Sequence, residues 1–236
     1  LEREEKLAQV VAAVLVDQHN CRGARSLRWD LHPARVDGIM HAKISLLCWS
    51  KLVRLIIGSA NLTEDGYRRN QEVFGVLDYY DDAEAPRQVL LDVILYLREL
   101  MHSSQPDMGN KAIDRWYTFL DQVKNKVARW GQTAEEHSRK PLRVTAILTR
   151  PGRAHVFKQL NDLWPAGSPP HSAKVLSPVF DPPKAENNPA KELWDIMRKR
   201  GDAVVNYCLE LEEVPGERRL IARAPDTLLS VKPQRD

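Results

Sequence analysis

The sequence predicts an α/β protein, a layered sheet flanked by helices, on three observations. Short β-branched and aliphatic runs at 44–49, 53–58 and 73–80 have the length and composition of strands. Two longer segments, one opening at Pro86 and one running from about Lys111 to Trp130, repeat apolar residues every three to four positions, which is the period of an amphipathic helix. Beyond residue 142 strand and helix patterns alternate again, which implies helices layered on a sheet.

In chain order, Glu2–Val16 reads as a helix because Leu7, Val10, Val11, Val14 and Leu15 fall on one stripe. Strand signals follow at Ser26–Trp29, Ile44–Trp49, Val53–Gly58 and Val73–Tyr80. Pro86 opens a helix, its fixed φ being suited to a first turn, and Val89, Leu90, Val93, Ile94, Leu97 and Met101 share one face of it. The next helix carries Ile113, Trp116, Tyr117, Leu120, Val123 and Val127. Both stripes are packing surfaces. Between Gly131 and Pro141 the chain turns polar, as a linker does. The domain expectation is therefore a half-domain over 1–130, a linker over 131–141 and part of a second α/β half-domain over 142–236. In the last, Val144–Leu148, Lys174–Phe180 and Val204–Leu211 read as strands, and Arg153–Trp164 and Pro189–Arg200 as helices. Pro165, Pro169, Pro170, Pro178, Pro182 and Pro183 stiffen the connections.

The candidate chemistry lies in His41-Ala42-Lys43, followed twenty residues after the histidine by Asn61 within Gly58-Ser59-Ala60-Asn61-Leu62-Thr63. Two apolar runs joined by Ser50-Lys51 fill the interval, which reads as a hairpin or a neighbouring strand pair. Strand residues two apart share a face, so His41 and Lys43 project together, and Ser59 and Asn61 share parity at the end of the returning strand. The expectation is one face bearing an imidazole, an ammonium, a hydroxyl and a carboxamide in a cluster sized for a phosphate. A phosphodiester is a stable anion, and its cleavage needs neutralised oxygens and a nucleophile. Lys43 offers a compact positive charge, and Asn61 and Ser59 offer neutral donors. His41 offers a nitrogen nucleophile, since an unperturbed imidazole pKa of about 6.5 leaves much of it neutral. A covalent phosphohistidine follows, and neither a metal nor another cofactor is required.

This arrangement resembles the phospholipase D superfamily, whose motif is H-x-K followed by an asparagine in a G-S/T-x-N turn. Most members carry an aspartate five residues after the lysine, and here that position is Cys48. With that departure and the interval, the chain is most similar to the tyrosyl-DNA phosphodiesterase branch and its bacterial relatives. The resemblance implies a phospholipase D-like layered sheet and a metal-independent phosphodiesterase, with His41 as nucleophile and Lys43 and Asn61 holding the phosphate. It also places Glu72, in Asn70-Gln71-Glu72, where an acidic residue orients a catalytic histidine. The implied substrate is a DNA 3′-end adduct and the implied partner a single-stranded DNA end. The alternatives are a phospholipid phosphodiesterase or transferase, and a nucleic-acid-binding half of a larger assembly that grips phosphate without cutting.

The superfamily works with two facing motifs, and this chain shows one. His19, His32, His102, His137, His155 and His171 begin no H-x-K. His155 and His171 begin H-x-x-K, a spacing that on a strand puts the lysine on the opposite face, and they read as a helix-surface and a loop residue. The second motif is expected from residues beyond Asp236 or from a homodimer partner related by a twofold axis. The first is favoured, because residues after about 142 read as the start of a second half-domain rather than a tail, and the absence of an initiator Met before the expected helix supports it.

Composition is consistent with these expectations. In 236 residues, 43% are apolar and 28% charged, which is ordinary for a soluble globular protein with a substantial core. The longest apolar stretch, Val10 to Val16, is too short to span a bilayer, and no signal-peptide pattern appears, so no membrane partner is expected. Cys21, Cys48 and Cys208 form no C-x-x-C pair, which indicates neither a disulfide framework nor a zinc site. The expected location is the cytoplasm, or the nucleus in a eukaryote. A net charge of +3 permits a nucleic-acid partner without requiring one. Candidate phosphate contacts are Arg22-Gly23-Ala24-Arg25, Arg198-Lys199-Arg200 and, directly after the motif turn, Arg68-Arg69.

Overall fold

The structure is a computed structural model that describes residues 10–21, 29–38, 40–103, 111–131, 144–150, 152–164, 170–177, 180, 188–197, 201–209, 211–214, 216 and 218–231. The chain divides into two compact units, Leu1–Pro151 and Gly152–Asp236. Its class is mixed α/β, with small sheets and helices.

In the first unit, β1 (Ala13–Asp17) and β2 (Asp30–Ala34) pair in parallel, with Ala13 across from Asp30 and Asp17 across from Ala34. A three-stranded antiparallel sheet follows, formed by β3 (Ile44–Cys48), β4 (Val53–Gly58) and β5 (Phe74–Tyr79), with β4 in the centre. A short helix α1 (Glu64–Arg68) is inserted between β4 and β5, and two long helices, α2 (Arg87–Ser103) and α3 (Lys111–Arg129), complete the unit.

The register explains where the core lies. Leu46, Leu55 and Leu77 form one cross-strand row, and Cys48, Val53 and Tyr79 another, all on the face that packs on the helices. The helix period brings Leu90 and Val93 of α2, and Leu120, Val123 and Val127 of α3, into the same fully buried cluster. On the opposite sheet face Arg54 donates two hydrogen bonds of 2.7 Å to Asp78, which holds that carboxyl below its usual range. Arg98 ties α2 to α3, bonding Asp121 at 2.7 Å and lying 5.0 Å from the centre of the Tyr117 ring. Arg115 grips Asp30 through two N–H groups at 2.6 and 2.8 Å and so fixes β2 to α3. Beside that pair the buried His32 meets Trp116 edge-on at 5.6 Å, and burial pushes its imidazole below the ordinary value. Lys126 donates to the Trp49 carbonyl at 2.6 Å, tethering the β3–β4 turn to α3.

The second unit contains α4 (Val156–Leu163), β6 (Ser172–Leu176), α5 (Pro189–Met197), β7 (Val204–Cys208), β8 (Glu212–Glu213), β9 (Leu220–Ile221) and α6 (Asp226–Ser230). β6 and β7 pair in parallel, as strands joined through a helix do, and β8 and β9 pair antiparallel. Ala190, Ile196 and Met197 form the buried face of α5. His155 caps α4, its Nδ1 accepting from the Lys158 N–H at 3.4 Å and lying 3.1 Å from the Glu192 carboxylate.

Several expected elements differ. The helix expected over Glu2–Val16 is a strand over Ala13–Asp17, and residues 1–9 lie outside the described residues. An unbroken valine-rich run satisfies a helical stripe and a strand alike, and β1 gains its backbone partners from β2. The strand expected at Ser26–Trp29 begins instead at Asp30, with 26–28 outside the described residues; Pro33 is tolerated because β2 pairs along one side among the described residues. Val144–Leu148 is not a strand: Val144, Ala146 and Leu148 pack irregularly on the core of the first unit. The strands expected over Lys174–Phe180 and Val204–Leu211 are shorter, Ser172–Leu176 and Val204–Cys208. Most of the expected linker, the Arg198-Lys199-Arg200 cluster, Arg22, Arg25 and five of the six singled-out prolines lie outside the described residues. Among the described residues no helix is long and apolar enough to cross a membrane.

Candidate functional site

Three segments of the first unit converge: the end of β1, the stretch Met40–Lys43 leading into β3, and the turn that leaves β4. They wall an open cleft of about 580 Å³ lined by His41, Lys43 and Asn61, together with Asp17, Asn20, Thr63 and Tyr67. His41 and Asn61 are exposed and Lys43 is half-buried, its ammonium donating to the His41 carbonyl at 3.3 Å.

Strand parity is not what brings these groups together. The Gly58 N–H donates to the Lys43 carbonyl at 3.2 Å, which sets Lys43 across from Gly58 and out of phase with Ser59 and Asn61. β4 ends at Gly58, so Asn61 is free of the pleat. The chain turns there: the Thr63 N–H donates to the Asn61 carbonyl at 2.8 Å, and the Thr63 hydroxyl accepts from the Gly66 N–H at 3.2 Å, capping α1. Gly66 lies directly against the Asn61 backbone, where a Cβ would stand 2.4 Å from the Asn61 carbonyl oxygen and 3.0 Å from its nitrogen. The turn and the cap together place Asn61 on the cleft.

Ser59 and Glu72 do not join it. The Ser59 hydroxyl donates to the Glu72 carboxylate and accepts from the Val73 N–H at 3.0 Å, while the Asn70 amide donates to the other Glu72 oxygen at 3.3 Å. The Glu72 carboxylate thus bonds a serine and an asparagine rather than a histidine, and these bonds close the excursion through α1 between β4 and β5. Arg68 and Arg69 are exposed, neither lines the cleft, and each faces an acid one turn back, Glu64 at 3.6 Å and Asp65 at 3.1 Å. Exposed pairs of this kind hold by only about 0.3–0.5 kcal/mol, so a polyanion can exchange for the acid.

Asp17 has no counterpart in the sequence-based expectations. It is buried at the end of β1, where one oxygen accepts the Met40 N–H at 2.9 Å and the other the His19 N–H at 2.8 Å. These two donors, that of Met40 first, hold the carboxyl below its ordinary value. A lone acid closing an apolar run was the available signal, and it stayed mute because no spacing links position 17 to position 41 and the run reads as a helix. Asn20 reaches the cleft from a 3₁₀ turn, Gln18–Asn20, that Asp17 caps.

Beside the cleft lies an apolar cavity of about 310 Å³ between β1 and β3, walled by Val14, Leu15, Leu46, Trp116 and Phe119 and sharing Ala42 and Ile44 with the cleft. Among the described residues no three His, Cys, Asp or Glu side chains gather closely enough to hold a metal ion. The cleft does bring an imidazole, an ammonium and a carboxamide to the wall of one open space, with the Asp17 carboxylate on the same wall. No family model, curated protein or solved structure matches this chain.

Proposed function

We propose that the chain is a phospholipase D-like, metal-independent phosphodiesterase acting on a DNA 3′-end adduct. The observation that carries this reading is the presence of His41, Lys43 and Asn61 on the wall of one open cleft. A His41 ring nitrogen attacks phosphorus, the bond to the leaving oxygen breaks, and water later hydrolyses the phosphohistidine. Lys43 and Asn61 hold the non-bridging oxygens as charge grows on them. The leaving oxygen takes its proton from the histidine of a second H-x-K, supplied by residues beyond Asp236 or by a second copy of the chain. The choice of DNA rests on the family resemblance and on the exposed Arg68 and Arg69 beside the motif turn.

On bis(p-nitrophenyl) phosphate, Lys43→Ala is expected to lower kcat/KM by more than about tenfold, mainly through the transition state; a smaller loss removes the lysine from the charge role. Addition of EDTA is expected to leave the rate unchanged, and loss of activity in chelator overturns the metal-free account.

The apolar cavity that shares a wall with the cleft favours a second reading, a phospholipid phosphodiesterase. Faster cleavage of a short-chain phosphatidylcholine than of a thymidine 3′-nitrophenyl phosphate selects it. A chain that retains single-stranded DNA and cleaves neither substrate is a binding module.

A further inference from the structure

We infer that Asp17 is the positioning residue for His41: its buried carboxylate, fixed at the end of β1, holds the Met40 peptide and with it the histidine that follows at the cleft. The kinetic consequence rests on the phosphodiesterase reading, whereas the placement of His41 does not.

The stretch Met40–Lys43 has no regular secondary structure, and its first backbone ladder contact is the bond from the Gly58 N–H to the Lys43 carbonyl. A histidine two residues before that contact needs a second anchor on its other side. The Asp17 carboxylate supplies one across 23 positions of sequence, at 2.9 Å, and the bond is charge-assisted. Its other oxygen is engaged by the His19 N–H at 2.8 Å, so the carboxylate cannot rotate without losing two bonds at once. An ionised carboxylate on the wall of a phosphate site repels the substrate. A role that offsets this repulsion is holding the nucleophile still, because a misplacement of about 1 Å in a reacting group costs about a hundredfold in rate. The bonding already described keeps the carboxyl ionised, so it is an acceptor at neutral pH and not a proton donor to the leaving group.

The test uses the whole chain with Asp17→Ala and Asp17→Asn. The asparagine retains one oxygen to accept a single N–H, so its effect is expected to fall between wild type and alanine. Two readouts are taken, hydrogen exchange of the Met40 amide by NMR, and kcat and KM separately on bis(p-nitrophenyl) phosphate. In wild type the Met40 amide is expected to be protected, and in Asp17→Ala that protection is lost, with kcat falling about 30- to 100-fold while KM stays within about threefold. A Met40 amide that exchanges freely in wild type, or equally slowly in the variant, overturns the assignment whatever the activity. Lost protection in a chain whose wild type cleaves nothing leaves the anchor standing and removes the phosphodiesterase reading instead. If the alanine variant does not fold, the asparagine variant is read on the same two scales.

Discussion

His41→Ala is expected to abolish turnover of bis(p-nitrophenyl) phosphate, by at least about a thousandfold, while leaving the fold intact. The side chain is exposed, and the hydrogen bond from the Lys43 ammonium ends on the His41 carbonyl rather than on the ring, so truncation spares the local backbone. A surface change of this kind shifts stability by no more than about 0.5 kcal/mol, which corresponds to a Tm within about 2 °C of wild type. Neither Lys43 nor Asn61 can replace the lost group, since an ammonium and a carboxamide are poor nucleophiles near neutral pH. The sharper version is a trapping experiment. An alkaline quench during turnover of a slow diester should retain phosphate on a histidine in wild type and on none in the variant, because the P–N bond of a phosphohistidine survives base and hydrolyses in acid. Unchanged cleavage by His41→Ala, or a phosphohistidine that persists in it, assigns the nucleophile elsewhere.

The second large effect is expected from a residue without functional groups. A methyl at position 66 meets the Asn61 carbonyl oxygen at 2.4 Å and the Asn61 nitrogen at 3.0 Å, and both are backbone atoms that cannot swing aside like the tip of a side chain. The Asn61 carbonyl is also held by the Thr63 N–H at 2.8 Å, and the Gly66 N–H by the Thr63 hydroxyl at 3.2 Å, so relief of the clash pulls on the cap of α1. Gly66→Ala is therefore expected to lose about 1–3 kcal/mol of stability. At a temperature where the variant is still folded, kcat/KM should fall about a hundredfold through displacement of Asn61. Gly75→Ala in β5 is the control, because its Cβ meets the Ile57 carbonyl oxygen at 3.8 Å, an ordinary contact. Calorimetry and steady-state kinetics on both variants decide the matter. A Gly66→Ala chain with wild-type Tm and activity shows that the turn places Asn61 without the glycine.

The parts of the fold legible in the sequence are those whose pattern is local and long. The stripe Ile113, Trp116, Leu120, Val123 and Val127 spans several turns, and all of these residues are buried on α3. Val53–Gly58 was legible because a short β-branched run bounded by polar turns leaves few other readings. The run Val10–Val16 was not, since seven apolar residues in a row carry no period, and whether they coil or extend is decided by the partner strand β2. Helix α1 was missed because Gly66 lowers helix propensity in a five-residue segment. Its signal was the Thr63 cap followed by Glu64 and Asp65 in the first turn.

The same division runs through the site. By itself the sequence determined that an H-x-K and an asparagine turn flank a strand pair, because residue types and spacing are properties of the chain alone. It also determined the chemistry those side chains can perform, since nucleophilicity, charge and donor capacity belong to the groups. Which of them meet was decided only by the tertiary structure. The register of β3 on β4 set Lys43 opposite Gly58, the exit of the chain from β4 carried Asn61 onto the cleft, and Ser59 bonded Glu72 instead. Asp17 came to the Met40 peptide from a strand 23 residues away. The physical reason is that a hydrogen bond is short-ranged and directional, so a difference of one residue in strand register or one turn in a loop separates groups that the sequence places side by side and joins groups that it keeps apart.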